Sequence, residues 1–491
     1  MQNRTKMLTL GTTETYRLIR SAFVPVVPRV YKSCFFLFLL ANSVVAQGIH
    51  GHHDAAADTN TLSHFFGKGR FYGHARSYWA VTLNQQNLTD AYAWGVGAGI
   101  GYETPKFLKR FQLGMSGFFM FNLASSDLAQ ADPTTGQTNR YEVGLFDIER
   151  PNDHEDLDRL EELFVKLHLG KKSLLTVGRQ IPQTPFVNPQ DGRMRPTLIE
   201  AATLELNEWK NLKLHGSYTW AVSPRSTVRW FEVGESIGIY PVGVDVNGKP
   251  SGYKNHVESS YIGILGGIFQ KKQWNVQLWN TYVQNITNTL WTKIEYKSKP
   301  RAGKNWMAGV QLFQQNTVGE GGNADPTKVY SAAHQGTRGI SGRVGQQSAK
   351  LDWYLNATRI AADGRFLMPR EWGREPFYTF MPRERNEGYG DVTATSLNMY
   401  FKPEKHVKIE LSGGYFQLPD VKNSALNKYG MPSYSQLNLG VTYQFDHYLK
   451  GLNALLLVVR KDPLGETYQN ERFVFNKVNM THLNFIINYH Y

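Results

Sequence analysis

From Arg70 onward the dominant pattern is strict alternation of apolar and small or polar residues. In Tyr92-Trp94-Val96-Ala98-Ile100-Tyr102 every second position is apolar, and the intervening residues are Ala93, Gly95, Gly97, Gly99 and Gly101. A period of two is a strand with one apolar face and one slim face. The glycines do not form a nucleotide-binding loop, because an every-second-residue spacing is not G-x-G-x-x-G. The alternation recurs in Phe111-Leu113-Met115, Leu163-Val165-Leu167-Leu169, Tyr218-Trp220-Val222 and Leu437-Leu439-Val441-Tyr443-Phe445. Counting such runs predicts an all-β chain of about eighteen antiparallel strands, an even number.

A soluble sandwich would alternate in the same way, so the connections decide. Short turns fall at every second junction: Pro105-Lys106, Gly170-Lys171-Lys172, Lys210-Asn211, Lys271-Lys272, Lys299-Pro300-Arg301, Gln347-Ser348, Pro403-Glu404-Lys405 and Lys450-Gly451. Most of the intervening connections are long, notably 124–158, 223–256, 319–335 and 361–390. Short turns at one end and long loops at the other predict a transmembrane antiparallel β-barrel with periplasmic turns and extracellular loops. The last run, Leu483-Phe485-Ile487-Tyr489-Tyr491, alternates with His482, Asn484, Asn488 and His490. It is expected to pair with the first strand, since an open edge is not tolerated in lipid. A terminal aromatic strand also resembles the signal read by the bacterial barrel-assembly machinery, an expected partner during biogenesis.

Composition agrees with a barrel. Aromatics make up 13% of the chain, there are 45 glycines, and mean hydropathy is negative at −0.41. Only alternate residues of a barrel strand face lipid, which keeps the average low. At the N-terminus, Arg17, Arg20, Arg29 and Lys32 precede the apolar run 34–40, and Val44-Val45-Ala46 offers small residues for cleavage. Residues 1–46 therefore read as a signal peptide, with Met7 as an alternative start. Residues 47–69 read as a flexible periplasmic segment and 70–491 as the barrel. Cys34 is the only cysteine, so after cleavage no disulfide or thiolate-bound metal is available. Residues 1–46 hold six Lys/Arg against Glu14, so cleavage lowers the formal charge from +13 to +8, too modest an excess to argue for nucleic acid. His50, His52, His53, Asp54 and His64 suit nickel or zinc, but they form no closed ligand set, and no metal or cofactor is expected.

One stretch breaks the barrel pattern. The strand-like run Leu174–Gln180 gives way to a loop with Pro182 and Pro185, which cannot donate to a ladder and which stiffen the loop with their fixed φ. Arg193 and Arg195 then offer planar, permanently charged donors suited to carboxylates in a narrow space. The loop near 181–196 is expected to constrict a pore.

At this stretch the chain resembles the OprD family of substrate-specific outer-membrane porins. The resemblance rests on Gly178, Pro182, Pro185 and the run Asp191-Gly192-Arg193-Met194-Arg195-Pro196, followed by a strand from Thr197 to Leu206. The family usually continues into an aromatic residue and a glycine, where this chain has Leu198 and Ala201. The resemblance implies an eighteen-stranded barrel with an inward loop and passive diffusion of small hydrophilic solutes in the outer membrane of a Gram-negative bacterium. Carboxylates, amino acids, peptides and small saccharides are the solute classes. It assigns Arg179, Arg193 and Arg195 to field focusing at the constriction. Asp191 would pin the loop or contact cationic groups, and Arg338, Arg343 and Arg359 are candidates for the pore wall. It leaves monomer or trimer open.

Two other readings compete. Long loops could make the barrel an adhesin or receptor. Gly234-Glu235-Ser236-Ile237-Gly238 matches the G-x-S-x-G nucleophile elbow of a hydrolase. That elbow needs a strand before and a helix after, and Pro241 and Gly243 come too soon after it, so no enzyme is expected.

Overall fold

The computed structural model describes residues 62–491 except Gln86, Asp156 and Asp191. The expected leader, and the cluster His50, His52, His53 and Asp54, lie outside the described residues. One antiparallel sheet runs round the molecule. Its strands are β1 (Arg70–Leu83), β2 (Ala91–Glu103), β3 (Phe111–Ser125), β4 (Arg159–His168), β5 (Leu174–Gln180), β6 (Leu198–Leu206) and β7 (Leu212–Ser223), then β8 (Phe231–Glu232), β9 (Ile262–Lys271), β10 (Trp274–Val283) and β11 (Thr287–Lys297). They continue with β12 (Asn305–Thr317), β13 (Gly336–Gln347), β14 (Leu351–Ile360), β15 (Val392–Glu404), β16 (Val407–Gln417), β17 (Tyr434–Gln444), β18 (Leu452–Pro463) and β19 (Met480–His490). The two-residue β8 is clipped to β7 inside a loop, while β7 pairs directly with β9. Eighteen strands thus form the wall. β19 pairs with β1, Phe485 opposite Trp79, and closes it.

The alternation seen in the sequence sorts the two faces. On β17, Leu437 is 60% exposed and Leu439 42%, whereas Gln436 and Asn438 between and beside them are buried. The exposed leucines form the lipid face, and the buried amides face inward. Inside, cross-strand polar groups satisfy one another: Asn356 Nδ2 donates to Asn398 Oδ1 at 2.7 Å, and Asn398 Nδ2 to Ser412 Oγ at 2.8 Å. Such pairing is obligatory where water is scarce. The glycines of β2 leave room for large neighbours on the inner face. A Cβ on Gly97 would lie 2.6 Å from the Phe118 ring, and one on Gly101 would lie 2.4 Å from the Tyr72 ring. The slim face is therefore filled by aromatic side chains from β3 and β1.

The segment expected to be a flexible tail contributes a short helix, α1 (Leu62–Gly67). Tyr102 donates its hydroxyl to the Phe66 carbonyl at 2.6 Å, and the Phe65 ring stands edge-on to Phe107. These contacts hold Phe65 and Phe66 against β2 and the turn that follows it.

All eight short turns lie at one end of the barrel. The connections at the other end include 126–158, 181–197, 224–261 and 361–391. Several fold back inside. Val143, Leu145, Phe146, Leu157 and Met194 pack with Tyr78, Phe118 and Met120 of the wall. A larger cluster joins Phe186, Val187, Ile237, Phe366, Trp372 and Phe377. Apolar loop residues seated on apolar inner-wall residues hold the loops in the lumen rather than above it.

Candidate functional site

The site is built from four of these loops. Loop 181–197 is stiffened at its start, where Thr184 Oγ1 donates to the Val187 carbonyl at 2.8 Å. It is then stitched to loop 361–391: Asn188 N–H donates to the Trp372 carbonyl at 3.0 Å, and Thr197 Oγ1 to the Glu371 carbonyl at 3.1 Å. Gln190 sits between two arginines. Its Oε1 accepts from Arg225 Nη1 at 2.9 Å and from Arg385 Nη2 at 2.5 Å. One neutral amide oxygen thus spaces two cations without cancelling either.

Around them the charge is mostly of one sign. A cavity of about 860 Å³ is lined by Arg140, Arg193, Arg225, Arg370, Arg383 and Arg385, with Lys422, Lys428, Arg472 and Lys477 farther round. Among the described residues lining it, Glu384 supplies the only carboxylate. That carboxylate is already paired, with Arg140 at 3.0 Å and Lys461 at 3.3 Å. Burial pushes Glu384 up, but Arg140, Lys461 and Arg370 outweigh it and hold its pKa down at about 2. It stays ionised and serves the loop scaffold. Arg370 is paired too, with Glu387 at 2.5 Å, and lies over the Tyr429 ring at 3.8 Å.

Other cations keep charge to spare. Burial brings Arg225 down to about 9, against the attraction of Tyr240, whose ring lies 4.9 Å away. Burial, and then Arg383, lowers Arg193, and burial, then Arg370, lowers Arg385. Lys428 is brought to about 8 and Lys477 to about 7, each chiefly by burial. Nε of Arg193, Arg225 and Arg383 and Nζ of Lys428 are buried without a hydrogen-bond partner. A buried, unbalanced donor set of this kind is complementary to an anion. Close packing holds it in place: a Cβ on Gly144 would come within 2.9 Å of Arg193 Nε. Arg383 Nη2 donates to the Tyr78 hydroxyl at 2.6 Å and also to Asn484 Oδ1.

The residues singled out in the sequence divide sharply. Arg193 lines the cavity. Asp191 lies outside the described residues. Arg195 is a correction: it is fully buried, Nη1 donating to the Leu157 carbonyl at 2.9 Å, and it reaches no solute. Burial, and next Arg159, lowers it to about 9. The two-residue spacing that suggested a shared role crosses an irregular loop, where neighbours need not point the same way. Arg179 is also a correction. It stands opposite Leu163 on the outer face, its guanidinium 4.7 Å from the Trp230 ring centre. Val177, two residues earlier, is on that same lipid face.

Of the proposed wall residues, Arg343 faces inward. Its Nε donates to Asn356 Oδ1 at 2.7 Å and its guanidinium lies between the rings of Tyr354 and Tyr378, at 4.7 and 4.4 Å. Arg338 and Arg359 are corrections. Arg338 has the parity of the lipid-facing Ile340 and pairs with Asp363 at 3.2 Å, and Arg359 has that of Leu355 and pairs with Asp391. The period of two should have separated these three residues, since Arg343 is an odd number of positions from Arg338 and from the lipid-facing Ile340 and Val344.

Sequence reasoning missed Arg140, Arg225, Arg370, Arg383 and Arg385. The one available signal was the arginine density of the run Met368–Arg385 inside a long loop. Ser236 is structural: its hydroxyl donates to the Val233 carbonyl at 2.7 Å and accepts from Trp372 Nε1 at 2.8 Å.

The model of the outer membrane porin, OprD family, matches residues 135–356. No curated protein sequence matches the chain. Among solved structures, OccAB3 of Acinetobacter baumannii is similar at 16% identity over 87% of this chain and 99% of that one, with a TM-score of 0.68. OpdK of Pseudomonas aeruginosa with vanillate aligns at 13% identity over 87% and 99%, TM-score 0.64. OccK2 (OpdF) of P. aeruginosa in complex with glucuronate aligns at 14% over 87% and 98%, TM-score 0.64. The family match, under half of the chain, spans three of the four loops that build the arginine-lined lumen, and the eighteen-stranded wall is the fold of these channels.

Proposed function

We propose that this substrate-specific outer-membrane channel conducts small carboxylates, drawn in by the loop arginines. The observation behind this reading is the charge balance of the lumen cavity, where six arginines meet one carboxylate that is already paired. Low-dielectric walls focus such a field and raise the local anion concentration. The arginines whose Nε lacks a partner, Arg193, Arg225 and Arg383, are the contacts that a passing carboxylate would complete. Arg343, lower on the wall, offers a further transient contact. Transit requires each contact to be weak, and spreading the charge over several arginines achieves that. The vanillate of OpdK and the glucuronate of OccK2 are both carboxylates and support the same class here. Asp191 would pin the loop or contact cationic groups. Residues 1–46 act as the secretion signal.

The test is single-channel recording in a planar bilayer, with vanillate, glucuronate, free arginine and maltose each added as a blocker. Anion-selective openings interrupted by the two carboxylates and by neither of the others are expected. Block by arginine or maltose alone would overturn the proposal.

A further inference from the structure

The end of the barrel opposite the arginine lumen carries a second concentration of charge. The eight short turns span 104–110, 169–173, 207–211, 272–273, 298–304, 348–350, 405–406 and 445–451. Every one of them contains at least one lysine, and together they hold thirteen Lys/Arg against two acids, Glu208 and Asp446. That surplus exceeds the +8 of the whole chain after residue 46, so the rest of the barrel is slightly acidic. The thirteen cations are exposed. None forms an ion pair or donates a side-chain hydrogen bond among the described residues. The two acids are engaged elsewhere. Glu208 Oε1 accepts from the backbone N–H groups of Lys172 and Ser173 at 2.8 and 2.9 Å, and Asp446 faces His406 at 3.3 Å and His447 at 3.4 Å.

The residues beside the ring indicate its partner. Trp209, Trp274, Tyr296, Trp306 and Tyr443, all exposed, stand at or next to these turns. Exposed Trp and Tyr at strand ends mark the plane where hydrocarbon meets headgroups. Lysines within a few residues of that plane can lay their stems along the barrel and place their ammonium groups at phosphate level. Mere solubility in the periplasm would be served equally by acids, and a turn needs glycine, proline or asparagine rather than lysine.

We infer that the short-turn rim is a binding ring for anionic phospholipid headgroups of the periplasmic leaflet. Lys171, Lys172, Lys272, Lys299, Lys304, Lys350 and Lys405 are its main contacts. A groove of about 450 Å³ between Lys350, Lys402 and Lys405 lies on this rim. The ring orients the barrel across an asymmetric membrane and collects acidic lipid around the pore exit.

The experiment uses the full folded barrel in neutral detergent, with dioleoyl-phosphatidylglycerol or dioleoyl-phosphatidylcholine added, and counts retained lipids by native mass spectrometry. Each lysine beside an anionic headgroup layer contributes about fivefold in partition. The wild type is therefore expected to retain phosphatidylglycerol over phosphatidylcholine by at least about tenfold. A seven-site Lys→Gln variant of the residues named above should lose that preference, while its heat-modifiable gel shift and conductance stay unchanged. A variant with Lys249, Lys254 and Lys328 of the long loops changed to Gln should keep it. Equal retention of both lipids by the wild type would overturn the proposal. So would a preference that survives the seven substitutions, or binding to isolated peptidoglycan sacculi without any lipid preference. Because conductance is read separately, failure of the lipid ring and failure of the channel reading are distinguishable.

Discussion

Two arginines two positions apart, Arg193 and Arg195, behave as opposites. Arg193 lines the cavity, and Arg195 is fully buried and absent from its lining. Arg195→Met is accordingly expected to leave the anion-to-cation permeability ratio unchanged, as read from reversal potentials across a salt gradient. Arg225→Gln and Arg385→Gln, which flank Gln190, should each lower that ratio by about threefold, the size of one unscreened charge near a transiting ion. An unchanged ratio in both would remove the Gln190 pair from the conduction path. Titration belongs to the same scale. Burial depresses Lys477 to about 7 and Lys428 to about 8. Each is charged below its pKa and neutral above it, so positive charge leaves the cavity as pH rises through 7 to 8. Anion selectivity should fall between pH 6 and 9, and Lys477→Gln should flatten the lower part of that curve.

At the scale of elements, β5 is the shortest wall strand, and it delivers the constriction loop. Its Gly178 has φ of +118°, and a Cβ there would meet the Leu163 carbonyl at 2.3 Å. Gly178→Ala is expected to cost at least about 1–2 kcal/mol through the backbone term alone, visible as a lower guanidinium midpoint. The stitch between loops 181–197 and 361–391 predicts a different kind of change. Asn188 donates from its side chain to the Arg374 carbonyl at 2.8 Å and accepts from Arg374 N–H at 3.1 Å. Asn188→Ala removes both bonds that tie the two loops to each other. Noisier open-channel current with an unchanged unfolding midpoint is the expected result, since loop order is lost while the sheet is untouched.

At the scale of the whole molecule, charge is segregated along the barrel axis: arginines gather in the lumen under the long loops, and lysines on the short-turn rim. The first set works through a focused field and should weaken with salt. Raising KCl from 0.1 to 1 M shortens the screening length from about 10 to about 3 Å. The anion-to-cation ratio is expected to approach the free-solution mobility ratio across that range, and selectivity unaffected by salt would argue for tight sites instead.

How much of this was legible in the sequence depends on the range of the interaction that decides it. The barrel, its eighteen wall strands and the position of its turns come from local rules. A two-residue period puts Leu437 and Leu439 in lipid and Gln436 and Asn438 inside, and turn length sets which end is which. The same period places Arg343 inward and Arg338 and Arg359 outward. The lumen is different. Arg140, Arg193, Arg225 and Arg385 come from four loops with no common period, and their meeting depends on apolar seats such as Phe146 on Phe118 and Phe186 on Phe366. Those contacts join residues far apart in the chain, so local pattern carries no trace of them. Strand direction is a property of neighbouring residues, whereas the burial of Arg195 and the exposure of Arg193 to the cavity are decided only when the loops fold back into the barrel.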